Sequence, residues 1–187
     1  HLYVACGAYF VIYEVQNNGE LIETCSKMVP YAINSMDHDG DYLYVTGLDG
    51  LEIYDGTDYA DPQLIGSNPM RFSEWIGNIM VDGDSLYYWW DDNSWGGPSL
   101  GIMNIQDRSN PSVVFESDID YASGWLPPQK YGRYLIATRY SDYYSLIILD
   151  LNAPSGVPEL VDSLNTGGRS IKVFDNRLYV CQYEGLE

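Results

Sequence analysis

Apolar residues run together, or alternate with polar ones, in stretches of about six residues that recur along the whole chain. The stretches are HLYVACG (1–7), YLYVTG (42–47), SLYYWW (85–90), YLIATR (134–139) and RLYVCQ (177–182). Their content of Val, Ile, Tyr and Trp suits half-buried or buried β-strands. A tight-turn signal precedes four of them: His38-Asp39-Gly40-Asp41, Val81-Asp82-Gly83-Asp84, Tyr131-Gly132-Arg133 and Asp175-Asn176. Asp-Gly and Asn supply the positive φ that two-residue hairpins need. A strand before each turn is therefore expected, in YAINSM (31–36), IGNIMV (76–81) and RSIKVF (169–174). At GWLPPQKY (124–131), Pro127 and Pro128 remove two ladder donors, which predicts a short or bulged strand.

A second phrase follows each stretch. FVIYE (10–14), LEIYD (51–55), LGIMN (100–104) and LIILD (146–150) share a large apolar residue, a free position, Ile, an apolar residue and a final Asp, Glu or Asn. The Ile residues stand at 12, 53, 102 and 148, so the steps are 41, 49 and 46 residues. Turn residues come next, and then ELIETC (20–25), PQLIGS (62–67), PSVVFES (111–117) and PELVDS (158–163). The unit is four antiparallel strands in about 45 residues, the size of a β-propeller blade. The fold expected is all-β, a β-propeller of four-stranded antiparallel blades. The units fall at about 1–29, 30–68, 69–120, 121–165 and 166–187, the first and last incomplete. The chain opens on a second strand, and Gly185-Leu186-Glu187 matches Gly50-Leu51-Glu52 and then stops. A segment of a six- to eight-bladed ring, or a chain completed by another copy, is expected in preference to a closed four-bladed ring. Open blade edges favour self-association. The final acids Asp55, Asn104 and Asp150 recur with the repeat, so a bond to backbone donors at the following turn explains them first.

Composition narrows the functions. Asp and Glu number 27 against 9 Lys and Arg, for a net charge of −18. No basic run exists to face phosphates, so nucleic acid is not an expected partner. No apolar run approaches the ~20 residues of a membrane span. The three cysteines, Cys6, Cys25 and Cys181, match no zinc spacing. They read as buried free thiols, with a Cys6–Cys25 bridge only if the two strands come close. His1 and His38 are the two histidines and belong to no catalytic or metal-type spacing. Asp37-His38-Asp39-Gly40-Asp41 resembles the start of a calcium loop but lacks the downstream Glu, and the turn reading is preferred. No catalytic residue, metal site or cofactor is expected.

The stretch DGDYLYVTGLDGLEIYDGTDYADPQLIGS (39–67) resembles the LVIVD repeat of bacterial and archaeal surface propellers. The likeness is closest there, good at 1–25 and 169–187, and fair at 134–165. The third unit departs most, with an insertion at 91–99. This resemblance implies an extracellular or cell-surface, non-catalytic module that contacts proteins, glycans or copies of itself.

Propellers commonly bind through the loops joining second to third strands and fourth strands to the next blade. Those loops hold Arg71, Trp75, Trp95, Trp125, Tyr140, Tyr143 and Tyr144, the candidate contacts for a protein or glycan. Trp89 and Trp90 adjoin them, and for these core packing is the simpler reading. The other class of function considered is a glycan-acting enzyme with carboxylates gathered from separate blades. Two convergent, non-repeating carboxylates beside a cleft would favour it.

Overall fold

The computed structural model describes residues 1–48, 50–69, 75–91, 99–116, 128–140, 144–153, 157–164, 168–175 and 177–182. Blade 1 contains β1 (Leu2–Cys6), β2 (Tyr9–Val15) and β3 (Leu21–Met28). Blade 2 is β4 (Ile33–Asp39), β5 (Tyr42–Gly47), β6 (Gly50–Asp55) and β7 (Gln63–Asn68). Blade 3 is β8 (Trp75–Asp82), β9 (Ser85–Asp91), β10 (Ser99–Asn104) and β11 (Ser112–Glu116). Blade 4 is β12 (Gln129–Tyr131), β13 (Tyr134–Tyr140), β14 (Tyr144–Asp150) and β15 (Glu159–Leu164). Blade 5 contains β16 (Gly168–Phe174) and β17 (Arg177–Gln182). Every sheet is an antiparallel meander in chain order, as a β-propeller requires. The short strand expected at the Pro127-Pro128 pair is β12, with three residues.

Period-2 alternation explains how the blades stack, because it sends successive side chains to opposite faces. On β5, Leu43 and Val45 pack toward blade 1 with Phe10 and Ile12. Tyr44 between them packs toward blade 3, with Ile79, Tyr88 and Met103. On β9, Tyr87 and Trp89 turn the other way and meet Leu135, Ala137 and Ile147 of blade 4. Ile136 and Leu146 then meet Ile171 of blade 5. The core is thus four seams between blades, and central strands read as unbroken apolar runs because both faces are covered. Trp89 is core, with 1% of its surface exposed.

The recurring Ile marks a fixed irregularity. The pairing of third and fourth strands slips directly after Ile12, Ile53, Ile102 and Ile148. One extra residue on the outer strand bulges there and increases its twist. In blade 2 the bulge lies beside Gly66, where the loop of the next blade comes close. A Cβ on Gly66 would stand 1.9 Å from the Arg108 carbonyl oxygen.

The final acids fold the turns that follow them. The Asp55 carboxylate accepts from the Thr57 N–H, Asn104 from the Gln106 N–H, and Asp150 from the Asn152 N–H. Asp58 and Asp107 repeat the device three residues later. Hairpins before β5, β9 and β13 turn on Gly40, Gly83 and Gly132 at φ of 59°, 59° and 57°. At the fourth hairpin Asp175 takes the positive φ, 48°.

Three scarce cations tie blades together. Lys27 donates to the Pro62 carbonyl and pairs with Asp61 at 3.6 Å. Arg108 donates to the Tyr44 hydroxyl at 3.0 Å and lies over the Tyr42 ring, 3.8 Å from Asp39. Lys130 of blade 4 pairs with Asp82 of blade 3.

The cysteine expectation needs correction. All three are free, but Cys6 and Cys181 are exposed and Cys25 is half-buried. Cys6 shares its face of blade 1 with exposed Leu2, Val4 and Tyr9, and Cys181 its face of blade 5 with exposed Tyr179 and Phe174. These faces turn away from the neighbouring blade, so strand membership alone did not bury them.

Gly66→Ala is expected to destabilise the chain by about 2–4 kcal/mol, because the clash is with backbone that cannot rotate away. Urea unfolding measures this, and an unchanged midpoint would contradict the close approach. The Asp55 and Asp107 carboxyls are held below 3.8, chiefly by the Thr57 and Ser109 hydroxyls and then by their N–H groups. Their contribution is present above that value and fades as pH falls through the lowered one. Asp55→Asn with Asp107→Asn should therefore flatten the loss of stability below about pH 4, read as urea midpoints across the acid range.

Candidate functional site

The first strands of neighbouring blades lie side by side, β4 against β8 and β12 against β16. The fourth strands lie outermost, and β15 is exposed along its length. First strands therefore line the channel, where each sheet presents an unpaired edge that must be satisfied. On β4 a bulge between Ile33 and Ser35 supplies the means. The Asn34 amide donates to the Ile76 carbonyl at 3.0 Å. The Ser35 hydroxyl accepts from the Ile79 N–H at 3.2 Å. One Asp37 carboxylate oxygen accepts from the Val81 N–H at 2.7 Å, and the other from the His38 N–H at 2.9 Å. Side chains of blade 2 thus close the inner edge of blade 3.

In blade 4 the first strand, β12, has three residues and starts after buried Pro128. A groove of about 480 Å³ lies here, lined by Ser35, Asp37, Asn78, Asp82, Gln129 and Lys130 over an apolar floor that includes Met36 and Met80. Asp37, Asp82 and Lys130 reach it from three successive blades. The Lys130 ammonium donates to the half-exposed Asp82 carboxylate. On its other side Lys130 borders a second groove of about 420 Å³ in the seam between blades 3 and 4. Burial pushes the Tyr87 phenol of that seam up, against the opposing pull of Lys130 and of its bond with Ser85.

This site lies at the end of the blades that carries the tight hairpins. Of the contacts expected from the sequence, Arg71, Trp95, Trp125 and Tyr143 fall outside the described residues. Trp75 opens β8 opposite Asp91, and Tyr140 pairs with Tyr144 where β13 meets β14, which places these three backbones at the other end. Their side chains, like that of Trp90, lie outside the description. Sequence reasoning passed over Lys130 and Gln129 as site residues and read Asp82 as part of a turn signal. It treated Asp37 as part of a turn, whereas Asp37 stands on β4 and only Gly40 and Asp41 form the loop. The signal that could have found the site is a break in the repeat: Tyr131-Gly132-Arg133 replaces Asp-Gly-Asp.

No family model matches the chain, and no curated protein matches it. Solved structures do. A protein of Lactobacillus plantarum superposes with a TM-score of 0.77 at 13% identity, covering 97% of this chain and 60% of its own. A candidate 6-phosphogluconolactonase of Bacteroides fragilis gives 0.72 at 15% identity, covering 96% and 60%. The periplasmic gluconolactonase of Pseudomonas aeruginosa gives 0.65 at 15% identity, covering 89% and 54%. The chain thus spans between 54% and 60% of the length of these proteins. At such identities the likeness shows the fold. It also corrects the expectation that the chain is not an enzyme. That expectation rested on resemblance to non-catalytic surface modules, yet this fold is shared with a gluconolactonase, and it carries two carboxylates and a lysine at one groove.

Asp37→Ala is expected to cost about 1–3 kcal/mol, since it leaves the Val81 N–H without an acceptor at a part-buried seam. Asp37→Asn keeps an oxygen there and should cost less. Urea denaturation of both variants checks this, and equal losses would contradict the role assigned to Asp37.

Proposed function

We propose that this chain is part of a sugar-directed hydrolase that opens a sugar lactone in the channel-side groove. The observation that carries the reading is the convergence of Asp37, Asp82 and Lys130, from three blades, on one groove. Lactonases among the proteins of this fold support it. Each Asp37 oxygen accepts from a backbone N–H, and Asp37 serves to hold the wall. Asp82 is half-exposed and is the base. It takes a proton from water as the water oxygen attacks the lactone carbonyl carbon. The Lys130 ammonium stabilises the oxyanion of the tetrahedral intermediate. As the carbonyl re-forms, the ring C–O bond breaks and the leaving oxygen takes the proton held by Asp82. The product is an open-chain hydroxy acid. Gln129 and Asn78 line the groove beside them. An LVIVD-type repeat at an extracellular surface remains part of the proposal, as a setting in which such a propeller would meet sugar derivatives.

The test is hydrolysis of gluconolactone and its 6-phosphate, followed by acid release and corrected for the spontaneous rate. The chain should exceed that rate, and Asp82→Asn and Lys130→Met should each lower kcat/KM by about 100-fold while melting cooperatively. No acceleration over buffer, or variants that match the parent chain, would defeat the reading.

A further inference from the structure

The second groove, in the seam between blades 3 and 4, breaks the repeat in a way that the fold does not require. Hairpins of blades 2, 3 and 4 share one backbone, with Gly40, Gly83 and Gly132 at nearly the same φ. Each pairs the residue before the glycine with the residue two after it: Asp39 with Tyr42, Asp82 with Ser85, and Tyr131 with Tyr134. The residue following the glycine is Asp41 in blade 2, Asp84 in blade 3 and Arg133 in blade 4. Two positions before the glycine stand His38, Val81 and Lys130. One hairpin has therefore exchanged acid for base on an unchanged backbone, in a chain of net charge −18. The turn backbone does not dictate this exchange, since it forms with Asp or with Arg at that position.

Lys130 and Arg133 both line the seam groove, together with Ser85, Tyr87 and Asn152. Its apolar wall includes Phe115 and Pro158. None of the described residues lining it is acidic, although Asp84 and Glu159 adjoin it in sequence. The carboxylates that pair with the two cations stand outside this wall. Asp82 faces the channel groove. Asp150 is buried, with one oxygen 3.0 Å from the Arg133 guanidinium and the other on the Asn152 N–H. Asp150 thereby holds Arg133 in place, while about half of the Arg133 side chain stays open to solvent.

We infer that the seam groove binds a small organic anion, its carboxylate or phosphate held by Arg133 and Lys130 and its carbon body laid against Phe115 and Pro158. A planar guanidinium fork suits either oxyanion, and the Asn152 amide adds a donor. The site stands whether or not the channel groove opens lactones.

Inorganic phosphate, gluconate and neutral glucose are titrated separately into the chain. Calorimetry gives the affinity, and the Arg133 side-chain N–H resonances report the place. Phosphate or gluconate should bind saturably and shift those resonances, and glucose should do neither. Arg133→Asn, which places at that turn the residue type found at Asn176, should weaken binding about tenfold or more. Arg133→Lys, which keeps the charge and loses the fork, should weaken it less. Melting curves show whether each variant is folded, and the Lys variant carries the test if the Asn variant is not. Binding of phosphate alone identifies a phosphate monoester as the ligand, and binding of gluconate alone a sugar carboxylate. Absence of saturable binding by both anions, or binding that both variants leave unchanged, overturns the inference.

Discussion

The two faces of a blade cannot both face water. Tyr44 and Leu43 are neighbours on one strand, yet one is buried against blade 3 and the other against blade 1. Tyr88 and Trp89 divide in the same way between blades 2 and 4. Each sheet owes its stability to the sheets beside it, so cohesion is a sum of seams, as in other repeat proteins. The cost of leaving a face uncovered is visible in blades 1 and 5, where Leu2, Val4, Phe174 and Tyr179 stand exposed.

Seam packing creates a polar problem at the channel. Sheets that splay around a centre bring their first strands together without a continuous ladder between them. The edge groups of β8 are instead met by Asn34, Ser35 and Asp37 of β4. This side-chain ladder occupies polar residues that would otherwise read as a binding site. Beside the three-residue β12 lie the grooves on either side of Lys130. Structure and candidate function are thus linked through one strand: β12 begins directly after Pro128, and the groove beside it is lined by carboxylates and a lysine from different blades.

Among ionic contacts, position matters more than number. Surface pairs such as Lys27 with Asp61 contribute little individually in water. Their placement across blade boundaries adds charged ties to seams that apolar packing and side-chain hydrogen bonds also hold. Arg108 meets a hydroxyl, a ring and a carboxylate on blade 2, with its own carbonyl seated against Gly66.

Strand order and hairpin chemistry were legible in the sequence because they follow from local rules. Period-2 alternation, Gly at positive φ and an acid that caps the following turn act within a few residues of themselves. Even the weak β12 was readable, since proline removes its own donor. The candidate site was not legible, because its parts are remote from one another. Asp37, Asp82 and Lys130 belong to three repeats, and only the closing angle between blades sets them around one groove. Asp37 looked like a turn residue, and its bond to Val81 crosses a seam that no local pattern encodes. The charge reversal at Arg133 was written in the sequence all along, but it became meaningful once the backbone of its hairpin proved the same as its neighbours'. Local stereochemistry thus determined the blades, and tertiary packing alone decided which side chains of different blades share a space.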